Sequence, residues 1–427
     1  MIKTILVLII IFLIIVKFNV YYRDHYDGIF EISQSNIKKY MEKNPYYLYI
    51  YVTVLFFIAS RISMFELSNG YYGTYIKNML SSVNDDKHEY KPSTPFIGGL
   101  SIIAIIIFSL ITAISGSGLG SEGVMIYLSI CMVIYMYFKF KNILGLAKIN
   151  TEVLIYTGYA IGFGVTFTSL ISTIIFIFEK MFHNHSFILY SYNAIIVLLI
   201  AIFVHYFIKN RNPIINIDKL HFDYYNVSSL LYICLFSGLI GLICIAFFTS
   251  FISLFNTLNK YKYKDGTIII MGIILSFMIH KFGVFIIGSN EDVINEGFKN
   301  ASNTSIFEYG PSTSSFNLQN VIGKMINCII SIGSGLSGGI IIPSMTIGSG
   351  LGSLYSKILS YLQLGTDMPI ENIMYIGMVA FLSPMLDAPI TSAVVINQIS
   401  KQSFNTIPIS LLASFISYYT YKTLHNH

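Results

Sequence analysis

Apolar runs at 4–19, 46–65, 95–118, 123–138, 152–179, 187–207, 228–256, 266–288, 319–332, 339–363, 371–398 and 405–421 fill most of this chain. Two of them run into dense glycine and serine. This pattern constrains the fold more than any other feature. Only 11% of the 427 residues are charged and 54% are apolar, whereas a soluble domain carries about 25% charged residues. A soluble fold could not hide so much apolar surface, because there are too few polar residues to cover it. The runs are continuous and do not alternate apolar with polar, which excludes a β-barrel. Soluble enzymes, disordered chains and disulfide-stapled secreted domains are excluded as well. The expected class is an all-α polytopic membrane protein.

Segments 152–179 and 228–256 exceed the roughly 20 residues of a simple span. Each predicts either one tilted helix or two helices joined by a break. The polar stretches 21–44, 77–94, 209–226 and 289–318 read as connections, none long enough for a soluble domain. Met1 to Phe18 resembles a signal peptide, but no small-residue cleavage site follows and further spans come after it, so it is expected as the first retained span. A net charge of +5 is explained by lysines beside the spans and calls for no nucleic-acid partner. Bases cluster at 77–91 and 257–264 but also at 21–44, so charge does not orient the chain. Cys131, Cys234, Cys244 and Cys328 lie inside apolar runs and read as small buried hydrophobes. There is no CxxC or HExxH, and His183 and His185 sit in a polar connection, so neither a metal nor a cofactor is expected.

The two glycine–serine runs are Ser115-Gly116-Ser117-Gly118-Leu119-Gly120 and Gly333-Ser334-Gly335-Leu336-Ser337-Gly338-Gly339. Such density breaks helices. At membrane depth, broken backbone survives only where it is buried in protein or lines a watery cavity. A shift of 219 residues lays Ser115, Gly116 and Gly120 on Ser334, Gly335 and Gly339. The same shift lays Tyr156 and Gly158 on Tyr375 and Gly377, Ile171 and Ile177 on Ile390 and Ile396, and Ser172-Thr173 on Thr391-Ser392. One offset in separate regions predicts two equivalent membrane repeats, 1–208 and 209–427. Proteins built from inverted-topology repeats place their substrate near the midplane, where broken helices meet.

A helix that restarts after a glycine-rich break presents unpaired backbone N–H groups and the positive end of its dipole. That end binds anions without a full cation, and the modest affinity suits conduction. The first break carries one carboxylate, in Gly120-Ser121-Glu122-Gly123-Val124. A glutamate in an apolar setting is a functional candidate, although a first-turn glutamate also complements the helix dipole. Ionised, it can mimic the anion; protonated, it loses its attraction to the N–H groups and can swing away.

The whole chain resembles the CLC chloride channel and chloride/proton antiporter family, in its short form without C-terminal regulatory domains. Gly120-Ser121-Glu122-Gly123-Val124 is similar to that family's G-[K/R]-E-G-P motif, and Gly339-Ile340-Ile341-Ile342-Pro343 to its G-x-F-x-P motif. Asn69-Gly70-Tyr71-Tyr72 stands where G-S-G-I-P belongs. Phe167 to Met181 resembles the helix ending in F-x-x-E-[E]-M, and Pro384 to Ile399 its repeat partner. The resemblance implies two inverted helical repeats whose broken helices meet at a central anion site. It implies Glu122 as the gating glutamate, an outer anion site at the N–H groups of Ser121, Glu122 and Gly123, and a central one at Ile340 and Ile341. Gly120 and Gly339 belong to the same anion-binding set. Asn69 stands in for a serine hydroxyl, a role its amide can fill, or is a turn residue before Gly70. A homodimer with one pore per subunit and a plasma (inner) membrane location are implied too.

The departures shape the functional expectation. Ser121 replaces a basic residue, Val124 a proline and Ile341 a phenylalanine. Lys180 holds the position of the inner proton-path glutamate of coupled members, and a lysine cannot relay protons in the same way near neutral pH. The chain ends at His427, before the family's last helix and its pore-lining tyrosine; Tyr418, Tyr419 and Tyr421 come about one helix too early. The expected function is passage of chloride or a similar small anion through a glutamate-gated pore, channel-like or weakly proton-coupled, and not enzymatic. The alternatives are a proton-coupled chloride antiporter, a membrane polysaccharide polymerase and a cation-coupled carrier. A polymerase needs basic residues in a large loop, and 289–318 has only Lys299. A carrier needs several intramembrane acids, and the chain offers chiefly Glu122, Glu179 and Asp387, the last two expected as caps or structural partners.

Overall fold

The computed structural model describes residues 2–66, 99–145, 149–183, 193–208, 215–222, 227–260, 264–289, 291–301, 316–364 and 368–425. Among these residues there are helices and no strand. In chain order they are α1 (Ile2–Lys43), α2 (Pro45–Glu66), α3 (Gly99–Ile114), α4 (Glu122–Leu144), α5 (Thr151–Phe167), α6 (Leu170–His183), α7 (Asn193–Ile208) and α8 (Val227–Lys260). They continue with α9 (Lys264–Phe282), α10 (Glu291–Lys299), α11 (Leu318–Gly333), α12 (Ile341–Tyr361), α13 (Ile370–Leu386), α14 (Pro389–Ile399) and α15 (Ile407–His425).

The 219-residue offset reappears in three dimensions. Helix α5 begins at Thr151 and ends at Phe167; α13 begins at Ile370 and ends at Leu386. Gly116 and Gly335 share a φ of +76°, a left-handed conformation that glycine adopts without penalty. Thr168 (φ +53°) ends α5, and Asp387 (φ +51°) ends α13. Each is followed by a second short helix, α14 opening on Pro389 at its first turn, where the missing N–H costs nothing. Segments 152–179 and 371–398 are therefore both helix pairs. Segment 228–256, by contrast, is one uninterrupted helix of 34 residues.

One polar stretch is not the connection expected. Residues 21–44 continue the first apolar run as a single 42-residue helix, α1. The reason is a buried stripe that persists after the apolar residues thin out: Ile15, Asn19, Tyr22, Tyr26, Ser33 and Ile37 are all buried, at the three- and four-residue steps of one helix face. At about 1.5 Å per residue such a helix outruns a hydrocarbon core of about 30 Å. Within 289–318, Glu291–Lys299 is likewise helical.

Helix α4 packs along α5, and α12 along α13, and glycines set both approaches. A methyl group on Gly158 would lie 2.5 Å from the Ile130 Cα, and one on Gly377 would overlap the carbonyl oxygen of Gly348. Gly377→Ala is expected to cost about 1–3 kcal/mol and lower the melting temperature of the detergent-solubilised protein. Gly238→Ala, with nothing within 4 Å of the added carbon, is expected to leave it unchanged. Equal melting temperatures for the two variants would refute this packing.

Candidate anion site

The two glycine–serine breaks meet. The Gly120 N–H donates to the Gly339 carbonyl at 2.8 Å, and the Gly339 N–H donates to the Gly120 carbonyl at 2.6 Å. This reciprocal antiparallel bridge joins two residues that the repeat makes equivalent. It also narrows the role expected of Gly120 and Gly339. Their amides are spent on each other, so in this arrangement they join the breaks and offer no N–H to an anion. No larger residue fits at Gly120, where a methyl group would lie 2.5 Å from Glu122 Oε2 and 2.6 Å from the Ser289 Cβ.

Helices α4 and α12 start on either side of this bridge. Neither N-cap residue, Ser121 or Ile340, makes a side-chain capping bond. The first backbone bonds of the two helices are from Met125 N–H to Ser121 O and from Ser344 N–H to Ile340 O. The amides of Glu122 and Gly123 on one side, and of Ile341 and Ile342 on the other, precede those ladders, as the opening turn of any helix requires. Gly123 abuts Gly339 closely enough that a methyl group on it would lie 3.0 Å from the Gly339 Cα. Ser121, Glu122, Ile340 and Ile341 are buried and Gly123 is half-buried. Asn69 falls outside the described residues.

The Glu122 side chain lies over the bridge, where a methyl group on either Gly120 or Gly339 would be within 2.8 Å of its Oε2. The residue is 3% exposed. Its carboxyl interacts with its own backbone N–H, while Oε2 is buried with no hydrogen-bond partner. A carboxyl oxygen stranded in this way is costly.

Helix α11 holds the first break in place. The Asn327 Nδ2 donates to Gly116 O (3.1 Å) and Ile286 O (2.7 Å), Ser331 Oγ donates to Asn327 Oδ1 (2.9 Å), and the Gly118 N–H donates to Ser331 Oγ (3.2 Å). The Cys328 thiol lies 3.3 Å from Gly118 O. On the same face sits Lys324, fully buried, its ammonium donating to Gly288 O and acting electrostatically on Glu122 and Cys328. Sequence reasoning passed over this lysine. The signal was present as a polar stripe at 324, 327, 328 and 331 inside an apolar run, the three- and four-residue spacing of one helix face. By the 219-residue offset its counterpart is Ile105, so the cation belongs to one repeat only.

At the other end of the helix pairs, Lys180 is tied down. Its ammonium donates to Leu386 O (2.6 Å) and Asp387 O (3.3 Å), the C-terminal carbonyls of α13. Glu179 accepts from the N–H groups of Ile390 and Thr391 and from the Thr391 hydroxyl (2.6–2.9 Å), capping α14. Asp387 accepts from the Tyr418 hydroxyl (2.9 Å) and pairs with His183 (3.0 Å). Lys180 at the C-terminus of α13 and Glu179 at the N-terminus of α14 each complement the helix end they meet. Glu179 and Asp387 are thus the cap and the structural partner that the sequence led us to expect.

Helices broken at mid-chain, joined at the breaks and opened there to uncapped amides define a membrane transport protein of the broken-helix type. Residues 67–422 match the model of the voltage gated chloride channel family, and the chain belongs to that family. Its members are channels and transporters that carry anions across the membrane. An uncharacterised protein of Methanocaldococcus jannaschii is 24% identical over 364 residues, covering 84% of this chain and 82% of that protein. Among solved structures, a slow cyanobacterial Cl−/H+ antiporter aligns with a TM-score of 0.75 at 15% identity, over 99% of this chain and 95% of its own. A CLC-type fluoride/proton antiporter gives 0.70 at 16% identity, over 98% and 96%. A eukaryotic CLC transporter gives 0.72 at 14% identity, over 100% and 73%. At these identities the solved structures establish the fold alone.

Proposed function

We propose that this protein passes chloride or a similar small anion across the membrane, with the Glu122 carboxyl as the gate, and that its transport is channel-like or only weakly coupled to protons. The observation that carries this reading is the Gly120–Gly339 bridge, which sets the uncapped starts of α4 and α12 side by side with the Glu122 carboxyl over it. An ionised carboxylate there occupies the place of an anion. The outer anion is held by the amides of Ser121, Glu122 and Gly123, and the central one by those of Ile340 and Ile341. Asn69, outside the described residues, is the proposed side-chain donor to the central anion. The bound state of Lys180 supports weak coupling: its ammonium is committed to the helix-end carbonyls of α13, where it serves as a fixed cation and not as a carboxylate relay.

The second reading is a proton-coupled antiporter, favoured by two fold neighbours that are Cl−/H+ and F−/H+ antiporters. Purified protein in liposomes separates the two. The expected result is chloride efflux with little or no uphill proton movement. Stoichiometric proton pumping driven by a chloride gradient would defeat the channel-like reading. Running the same assay with fluoride and nitrate identifies the preferred anion.

The halves 1–208 and 209–427 are the two repeats of this pore. The working form is a homodimer in the plasma membrane, and the exposed apolar residues Leu199, Ile202 and Tyr206 of α7 suit a subunit contact.

A further inference from the structure

We infer that Glu291, paired with Arg23, is a second proton-binding group at the mouth of the site and sets the pH at which Glu122 responds. This inference rests on the reading of Glu122 as the gate. It concerns residues that neither repeat motif contains.

Arg23 sits midway along α1, and its guanidinium is fixed on the last turn of α5: Nη1 donates to Thr166 O at 2.8 Å and to Val165 O at 3.4 Å. That leaves Nη2 3.5 Å from Glu291 Oε1, and Nε 3.6 Å from Asp27 Oδ2. The Arg23 side chain is 13% exposed and that of Glu291 35%, so the carboxylate lies between a nearly buried base and water. Glu291 opens α10 just after a turn pinned to the first break. The Gly288 N–H donates to Ser117 O at 2.7 Å, Lys324 donates to Gly288 O, and Ser289 packs against Gly120.

The two carboxyls share one electrostatic neighbourhood. Glu291 faces Arg23 and Asp27 from α1 and Asp292 from its own helix. Glu122 is acted on electrostatically by Glu291, Arg23 and Asp27, and its own charge acts on Lys324 of α11. Burial pushes the Glu291 carboxyl up to about 7, against the opposite pull of Arg23, so it changes charge in the physiological range. Two like charges that share a cation titrate as a pair. While Glu291 is ionised it repels the Glu122 carboxylate. Once it takes a proton that repulsion is gone and Glu122 keeps its own charge to lower pH. Protonation of one therefore opposes protonation of the other, which spreads the pH response of flux over a wider range than a single site would give.

The test is chloride efflux from liposomes as a function of pH for the full-length protein and its variants. Glu291→Gln removes the repulsion, and the midpoint is expected to fall by roughly one pH unit while the profile narrows to that of one proton. Arg23→Gln removes the shared cation, and the midpoint is expected to rise. Glu291→Asp keeps the charge and is expected to keep the wild-type profile. If Arg23→Gln does not fold, because it also loosens α1 from α5, Glu291→Gln at its partly exposed position still reads the coupling. Profiles for Glu291→Gln that superimpose on the wild type, alongside a flat profile for Glu122→Gln, would overturn this inference and leave the gate standing. A wild-type profile in Glu122→Gln would instead overturn the gate.

Discussion

Glu122→Gln is expected to abolish the pH dependence of anion flux and leave the protein open at every pH. On the proposed gate, the carboxylate lying over the Gly120–Gly339 bridge would compete with the anion for the amides of two helix starts. Only its ionised form is attracted to them. Protonation removes that attraction, and far above the midpoint of a one-proton gate the open fraction rises about tenfold for each unit of acidification. Glutamine keeps the shape, carries no charge at any pH, and cannot imitate an anion. The measurement is chloride efflux from liposomes between acid and mildly alkaline pH. The expected result for the variant is a flat, high flux that matches the acid-side plateau of the wild type. A variant that still closes on alkalinisation would remove Glu122 from the mechanism.

The second large effect is expected at Lys324. A buried cation acting on the gate position stabilises any negative charge there, whether the Glu122 carboxylate or a passing anion. Lys324 is fully buried and bonded to Gly288 O, so it is held in place and poorly screened by salt. Lys324→Gln preserves a donor for Gly288 O and removes the charge. It is expected to weaken chloride binding, measured by titration calorimetry, by about tenfold, which corresponds to about 1.4 kcal/mol. Lys324→Arg is expected to bind as the wild type does. Unchanged affinity in Lys324→Gln would mean that the ammonium serves the Gly288 turn alone.

The architecture was legible where it rests on local backbone chemistry. Glycine pairs at one offset foretold the matched turns at Gly116 and Gly335, and the matched close approaches at Gly158 and Gly377. Segment length foretold the break of α5–α6 in 152–179, and left 228–256 as either a tilted helix or a pair, which the structure resolves as one helix; the matching α13–α14 break in 371–398 follows from the offset. The extent of α1 was not, because its second half keeps a buried stripe while its composition turns polar. At the site, the motifs named the two helix starts, but no linear pattern says that two amides will bond to each other. That pairing follows from three-dimensional closure of the repeats. Lys324, Arg23 and Glu291 were missed for a related reason. They come from three separate elements; Arg23 and Glu291 each read singly as an ordinary charge beside a span, and the stripe that marks Lys324 inside its apolar run does not say what it faces. Only folding gathers them around one carboxyl.

The doubled N–H···O contact between Gly120 and Gly339 also limits how the molecule can work. Rocking one half against the other would break both bonds in a dry interior, at about 1–3 kcal/mol for each group left unsatisfied. The halves are stitched together where the two helix starts meet. On the gate proposed above, passage would then be controlled by a side chain swinging on a stationary frame, with the backbone around it keeping nearly the same separation whether the way is shut or clear.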